Sequence, residues 1–134
     1  MPLLHLWQEA FGSIGDDGVR WIAAKLGLQP INIFELVGFY PMFHQAPAGR
    51  KHIRICRTLS CALAGSGKLH KHFCEKFGLD SHAHGVQTSK DGKFSVEFVE
   101  CLASCGTGPV MMCNEDFYEA VSNSKADEIL QKCK

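Results

Sequence analysis

Hydrophobic residues in the first 40 positions recur every three or four residues, which is the spacing of amphipathic helices. This pattern predicts three short helices, over residues 3–11, 19–26 and 30–40. Asp16 or Asp17 is the expected N-cap of the second helix, because a short polar side chain there can accept a backbone N–H. The chain therefore begins with a small helical region.

The third helical segment is apolar on almost every side. Residues 31–40 (INIFELVGFY) contain one charged residue, Glu35. Pro30 suits the first turn of a helix, and Pro41 should end it. Three short helices cannot bury such a segment well by themselves. It should therefore pack on the rest of the chain or face another subunit, and the sequence favours neither.

A change in composition divides the chain into two unequal parts. Residues 45–50 (QAPAGR) have the composition of a linker, and all seven cysteines come after them. We therefore expect a helical N-terminal region over residues 1–46 and a second domain over residues 47–134.

The second domain mixes strand-like runs with helical spacing. Asp91-Gly92 lies between two of these runs, as in a β-hairpin. In chain order we predict a strand over residues 52–56, a helix over 61–77, hairpin strands over 86–88 and 94–98, strands over 109–113 and 117–121, and a last helix from Ser122 or Ser124. Elements in this order on one small sheet indicate an α/β fold of the thioredoxin-like type.

Composition and charge exclude several classes of protein. The chain of 134 residues is 46% hydrophobic and 21% charged, which is globular rather than disordered composition. Fourteen basic residues balance fourteen acidic ones, so the basic excess of a nucleic-acid-binding protein is missing. No apolar stretch reaches the ~18 residues of a membrane span. Residues 1–5 (MPLLH) lack the features of a secretory signal, so we do not expect export.

The cysteines carry the chemistry that the sequence suggests. Two pairs stand out, Cys56-x4-Cys61 and Cys101-x3-Cys105, and each pair lies in a predicted turn. In a reducing compartment, clustered cysteines bind metal or do redox chemistry more often than they form structural disulfides. Four thiolates from two loops at one edge of a sheet can close around a metal centre.

The spacing leaves the identity of that centre open between an iron–sulfur cluster, zinc, and unliganded or redox-active thiols. Gaps of three and four residues are compatible with zinc. Neither pair is Cys-x-x-Cys, which weakens the thioredoxin-type redox alternative. A [2Fe–2S] cluster would suit a helix that begins near Cys61 and points its positive end at an anion. It would also suit the small residues that let main chain approach closely, namely Ser60, Ala103, Ser104, Gly106 and Gly108.

Four segments occur together in an order and at separations that match a known family. They are residues 39–43 (FYPMF), the Cys56-x4-Cys61 pair, residues 91–97 (DGKFSVE) and residues 100–111 (ECLASCGTGPVM). Over nearly the whole chain they resemble the E subunit of bacterial NADH–quinone oxidoreductase, which is the homologue of the thioredoxin-like flavoprotein subunit of mitochondrial complex I.

The resemblance implies a helical N-terminal piece followed by a thioredoxin-like domain that carries one [2Fe–2S] cluster. Carried over to this sequence, the ligands would be Cys56, Cys61, Cys101 and Cys105. The implied role is single-electron exchange within an NADH dehydrogenase complex, with no catalytic acid, base or nucleophile in this chain.

The resemblance also implies a partner, the NADH-oxidising F subunit, in which FMN and NADH are expected to bind. It places the chain in the bacterial cytoplasm, attached to the inner membrane through its complex without inserting into the bilayer. Two alternatives stay open. One is the equivalent subunit of an NAD-linked formate dehydrogenase or bidirectional hydrogenase. The other is a zinc-bound or metal-free structural partner of the same fold.

Some residues depart from the family pattern or fall outside it. Ala103 stands where the family commonly has glycine, so that position needs either a positive φ or only a small side chain. His70 and Cys74 are expected on a solvated helix face. Cys113 should be a small buried hydrophobic residue, and Cys133 is not expected to be a ligand.

Overall fold

A computed structural model describes residues 1–132, which form two compact units divided between Ala48 and Gly49. The first unit contains α1 (Pro2–Phe11), α2 (Asp16–Leu26) and α3 (Pro30–Phe39). Its core is one cluster of buried apolar side chains: Leu4, Ile14, Val19, Ile22, Ala23, Ile33, Val37 and Phe43. The three predicted helices are all present.

Glycine ends the first two helices. Gly12 follows α1 with a φ of 79°, and Gly27 follows α2 with a φ of 66°. Glycine adopts this left-handed conformation without the steric cost of a Cβ. The prediction for the start of α2 is wrong, because Gly15 occupies the N-cap and Asp16 and Asp17 lie inside the first turn. Their negative charges still stabilise that end of the helix dipole.

The apolar segment α3 buries only one of its faces. Ile33 and Val37 are in the core of the first unit. Ile31 and Phe39 on other faces are exposed, and Phe39 shows 77% of its surface. Tyr40 caps the helix and Pro41 follows, as the sequence predicted.

The second unit is an α/β domain of the thioredoxin-like type, as expected. Among its described residues, a short 3₁₀ turn lies at Cys105–Thr107. The other elements are β1 (Lys51–Cys56), α4 (Leu59–Leu63), α5 (Ser66–Phe77), β2 (Gln87–Thr88), β3 (Phe94–Val99), β4 (Met111–Cys113), β5 (Asp116–Tyr118) and α6 (Asn123–Lys132).

The five strands form one mixed sheet in the order β2-β3-β1-β4-β5. β1 and β3 are parallel, with Lys51 opposite Phe94 and Cys56 opposite Val99, while the other neighbours are antiparallel. Because parallel strands end at the same edge of a sheet, the chain leaves β1 and β3 side by side. Cys56 is the last residue of β1 and Cys61 comes shortly after it, while Cys101 and Cys105 come after β3.

The predicted helix over residues 61–77 is two helices. α4 starts at Leu59, two residues before Cys61, and the chain turns at Gly65, whose φ of 106° is incompatible with a continuing α-helix. Cys61 therefore lies inside a five-residue helix and does not begin a long one. The apolar residues that produced the helical pattern, Leu69 and Phe73 among them, all belong to α5.

The last two strands are shorter than predicted. Pro109 has no N–H to donate to the sheet, and β4 begins at Met111. After β5 the chain leaves the sheet, so that Ala120 N–H bonds to Thr107 O at 2.7 Å and Val121 N–H bonds to Pro109 O at 3.0 Å. The segment after β5 therefore packs against the second cysteine loop.

Over residues 1–132, no helix has both the length and the apolar character needed to cross a membrane.

Candidate metal centre

Two neighbouring loops carry the cysteine pairs. The first loop runs from Cys56, the last residue of β1, to Cys61 inside α4, and the second joins β3 to β4 and holds Cys101 and Cys105. Main-chain hydrogen bonds tie the first loop to its neighbour, from Cys56 N–H to Val110 O at 3.1 Å and from Arg57 N–H to Val99 O at 3.0 Å.

The structure brings the four predicted thiols into one group. The sulfurs of Cys101 and Cys105 lie 3.8 Å apart. Cys56 hydrogen bonds to Cys61 and interacts electrostatically with both thiols of the second loop, and Cys61 interacts with Cys105. All four are free thiols, of which Cys56 and Cys61 are 1% exposed and Cys101 and Cys105 are open to solvent.

Hydrogen bonding gives the two buried thiols, Cys56 and Cys61, pKa shifts of opposite sign. Burial raises the pKa of Cys56, but hydrogen bonds from the Thr58 side chain and the Leu102 backbone outweigh it, so that the net pKa is lowered. Burial dominates at Cys61 and raises its pKa, although a backbone hydrogen bond from Val110 opposes the shift. Cys56 is therefore the thiol of this pair that ionises first.

The two exposed thiols, Cys101 and Cys105, also have pKa shifts of opposite sign. The Ala103 N–H lies 3.3 Å from Cys101 Sγ, and this hydrogen bond is the largest cause of the lowered pKa of Cys101. Cys101 in turn raises the pKa of Cys105 through their hydrogen bond and its charge, while the Ser60 side chain opposes that shift. Each loop thus supplies one thiol that readily becomes a thiolate, the form that binds metal.

Within residues 1–132, no three His, Cys, Asp or Glu side chains are arranged to hold a single metal ion. The four thiols form two close pairs with contacts between the pairs. Four cysteine thiolates are the ligand set of a [2Fe–2S] cluster. The number and type of donors therefore fit that group.

The sequence matches the family described as thioredoxin-like [2Fe-2S] ferredoxin over residues 1–134. The chain belongs to this family. The resemblance found in the sequence is thereby confirmed, and so is the fold class.

Relatives of this chain are subunits of NADH-quinone oxidoreductases. It is 35% identical to NADH-quinone oxidoreductase subunit 2 of Thermus thermophilus over 131 residues, which cover 97% of this chain and 70% of that one. It is 33% identical to the E subunit of the NADH-quinone oxidoreductase of Rickettsia typhi over 133 residues, which cover 98% of this chain and 76% of that one.

A solved structure shares the fold. One chain of an NAD+-reducing [NiFe]-hydrogenase in the air-oxidized state superposes with a TM-score of 0.76 at 21% identity. The match covers 98% of this chain but only 22% of that hydrogenase chain.

Ala103, in the second loop, has a φ of 62°. Of the two alternatives that the sequence left for this position, the structure shows the positive φ. The left-handed conformation costs a non-glycine residue about 1–2 kcal/mol. It also aims the Ala103 N–H at Cys101 Sγ, so the strained residue donates directly to a thiol that is predicted to be a ligand.

Gly108 lies where the second loop approaches α4. A Cβ at this position would come within 3.2 Å of the Ala64 Cβ and 3.5 Å of Cys61 Sγ. The expectation of close main-chain approach is therefore met at Gly108, where the absent side chain leaves room beside a buried thiol.

Glu119 anchors the second loop, and the sequence analysis did not identify it. Its carboxylate accepts hydrogen bonds from the hydroxyl groups of Ser104 and Thr107, the latter at 2.6 Å. The hydrogen bond from Ser104, followed by that from Thr107, lowers the pKa of Glu119. The Lys125 ammonium donates to the Glu119 carbonyl at 2.6 Å. Two strands, β4 and β5, separate Glu119 from the cysteine loop in the chain, so no local sequence pattern indicates this contact.

An exposed ion pair connects the two loops. The Arg57 guanidinium donates to Glu100 Oε1 from Nε at 3.0 Å and from a terminal nitrogen at 2.6 Å. Arg57 follows Cys56 and Glu100 precedes Cys101 in the chain. The ion pair therefore joins the residue next to Cys56 in the first loop to the residue next to Cys101 in the second loop.

Of the cysteines outside the pairs, Cys74 and Cys113 are described by the structure, and neither belongs to the thiol group. The prediction that His70 and Cys74 lie on a solvated face is wrong, because both are buried and the His70 ring stacks on Phe98 with centroids 4.0 Å apart. Burial lowers the pKa of His70 and raises that of Cys74. Cys113 is buried in the core, as expected, but it is also disulfide-bonded, which the sequence did not predict, and Cys133 lies outside the described residues.

Proposed function

We propose that this ferredoxin is the electron-transfer subunit of an NADH-oxidising complex of the NADH–quinone oxidoreductase type. It would hold one [2Fe–2S] cluster on Cys56, Cys61, Cys101 and Cys105. The observation that most supports this proposal is the convergence of four free thiols from two loops. The subunit names of its relatives support the choice of complex.

The residues around the thiols suit them to hold such a cluster. Hydrogen bonds lower the pKa of Cys56 and Cys101, which favours the thiolate form that iron requires. When bound, a [2Fe–2S] cluster supplies one-electron oxidation and reduction, so the chain itself needs no catalytic acid, base or nucleophile.

The two loops also define a direction of approach. Cys56 and Cys61 close the centre from the protein side, whereas Cys101 and Cys105 lie at the surface. A redox partner would therefore approach the second loop. We propose that this partner is the flavin-bearing F-type subunit, with FMN and NADH bound there.

The same proposal gives the organisation and place of the chain. The helical region over residues 1–46 and the cluster domain over residues 47–134 would both belong to one peripheral complex on the cytoplasmic side of the bacterial inner membrane. The equivalent subunit of an NAD-linked formate dehydrogenase or bidirectional hydrogenase is the second candidate. The large subunits that copurify with the chain would distinguish these hosts.

Metal analysis tests the proposal. After anaerobic purification we expect about two irons and two acid-labile sulfides per chain, and a visible spectrum that bleaches with dithionite. Cys101→Ser should abolish or severely disturb that spectrum. Cys74→Ala is the matched control, because the Cys74 sulfur lies beside His70 rather than in the thiol group.

Two outcomes would contradict the proposal. One zinc per chain, or no metal after anaerobic reconstitution, would leave a structural partner of the same fold. An unchanged spectrum in Cys101→Ser would reject the ligand assignment.

A further inference from the structure

Thr58 is the N-cap residue of α4, with the extended backbone that an N-cap requires. At this position a threonine hydroxyl normally accepts a hydrogen bond from a backbone N–H of the first helical turn. In this structure, which describes residues 1–132, the Thr58 side chain makes no such capping bond. The hydroxyl is directed elsewhere.

The Thr58 hydroxyl is placed between the first cysteines of the two pairs. Its oxygen lies 3.3 Å from Cys56 Sγ. It also hydrogen bonds to Cys101 and thereby contributes to the lowered pKa of that thiol. One side chain of the first loop therefore reaches a predicted ligand in each loop. Ser60, two residues further on, reaches Cys105 in the same way.

The direction of the hydrogen bond follows from the charge on sulfur. A thiolate that binds iron has no proton, so a hydroxyl beside it must be the donor. Hydrogen bonds donated to charged acceptors are about twice as strong as neutral ones. One-electron reduction adds negative charge to the sulfurs, and the donated bond becomes more favourable. A donor hydroxyl at this point therefore favours the reduced state.

We propose that Thr58 raises the reduction potential of the bound cluster by donating the one hydrogen bond of its hydroxyl to the Cys56 thiolate, with the Cys101 thiolate as the alternative acceptor. The inference rests on the proposed function, since it requires those thiolates to hold the cluster. Thr58 touches ligands rather than the irons and is therefore a positioning residue. Its side chain is half-buried and uncharged, so replacing it removes a donor without changing the net charge.

The test compares variants with and without the hydroxyl. Thr58→Val keeps the shape of the side chain and removes the donor, Thr58→Ala removes the donor with less bulk, and Thr58→Ser keeps the donor. Thr88→Val is the matched control, because the Thr88 hydroxyl bonds to the Ser95 hydroxyl in the sheet. The measurement is the reduction potential of the full chain, from visible and electron paramagnetic resonance spectra taken at a series of applied potentials.

We expect Thr58→Val and Thr58→Ala to lower the equilibrium constant for one-electron reduction by about three- to tenfold, a tenfold change being 59 mV. Thr58→Ser and Thr88→Val should stay close to the parent. Unchanged potentials in valine and alanine variants that carry full iron would overturn the inference and leave the proposed function intact. So would loss of the cluster from both variants while circular dichroism shows a folded chain, because Thr58 would then be purely structural. Absence of a cluster from the parent would overturn the proposed function itself.

Discussion

The two cysteine loops supply the same chemical groups but are held by different forces. Cys56 and Cys61 are buried, and apolar contacts with Val110 and Leu102 surround them. Cys101 and Cys105 are exposed. Their loop is fixed by a strained backbone and by polar contacts to distant residues, chiefly Glu119.

The difference shows that core packing can hold one half of a surface metal centre while hydrogen bonds hold the other half. Burial of the first pair makes those thiols part of the folded core, so their position is set when the domain folds. The exposed pair has no such support, and hydrogen bonds must hold its loop in place. The open side is the one that a redox partner can reach.

The strongest contrast that we expect is between a buried and an exposed cysteine of the proposed ligand set. Cys61→Ser and Cys101→Ser should both lose the cluster. In the metal-free proteins, Cys61→Ser should lower the free energy of unfolding by about 1–3 kcal/mol, because a hydroxyl is placed in an apolar site. Cys101→Ser should leave it unchanged. Urea denaturation of the reduced apo-proteins measures both, and equal destabilisation would remove the distinction between the loops.

The next effect concerns the anchor of the exposed loop. Glu119→Ala removes the acceptor of the Ser104 and Thr107 hydroxyls, so we expect several-fold faster loss of the cluster to an iron chelator. Glu119→Gln keeps one acceptor oxygen and should fall between parent and alanine. Glu115→Ala is the control, because Glu115 is highly exposed and 3.7 Å from its ion-pair partner. Equal rates in all four proteins would show that Glu119 does not hold the loop.

The same carboxylate gives a pH dependence with a definite sign. The pKa of Glu119 is lowered from its ordinary 4.5, first by the Ser104 hydroxyl and then by that of Thr107. Its stabilising contribution is therefore complete above pH 4.5 and is lost as the pH falls through the lowered value. The stability difference between the parent and Glu119→Gln apo-proteins should shrink over that acidic range. A difference that stays constant with pH would mean that the charge of Glu119 is not involved.

The smallest effect comes from backbone strain. Ala103→Gly should raise the free energy of unfolding by about 1 kcal/mol or less, since relief of the left-handed strain exceeds the added entropy of a glycine in the unfolded chain. Ala62→Gly, in the middle of α4, is the opposite control and should lower it by about 1 kcal/mol. Thermal and urea unfolding measure both, and a loss of stability in Ala103→Gly would show that the φ of 62° carries no cost.

Local patterns were sufficient where the physics is local. Gly12 and Gly27 end their helices because glycine adopts a positive φ easily, and that property is visible in a sequence. The Asp91-Gly92 turn joins the antiparallel strands β2 and β3 for a similar reason. The break at Gly65 was missed, although the Gly-Ser-Gly run at residues 65–67 is a local signal for it.

Other features depend on which surfaces meet. His70 and Cys74 have the spacing of one helix face, but only the packing of His70 on Phe98 shows that this face is buried. The role of Ala103 also required the structure, because the sequence could not distinguish a positive φ from a need for a small side chain.

Spaced motifs and apolar periodicity were enough to predict the family, the fold class and the four cysteines proposed as ligands, because both are properties of short segments. The way in which the proposed centre is held depends instead on tertiary contacts. The parallel pairing of β1 and β3 brings the two loops to one edge, and the Thr58 and Glu119 side chains reach their partners across loops. Contacts between segments distant in the chain depend on the completed sheet, which no local pattern specifies.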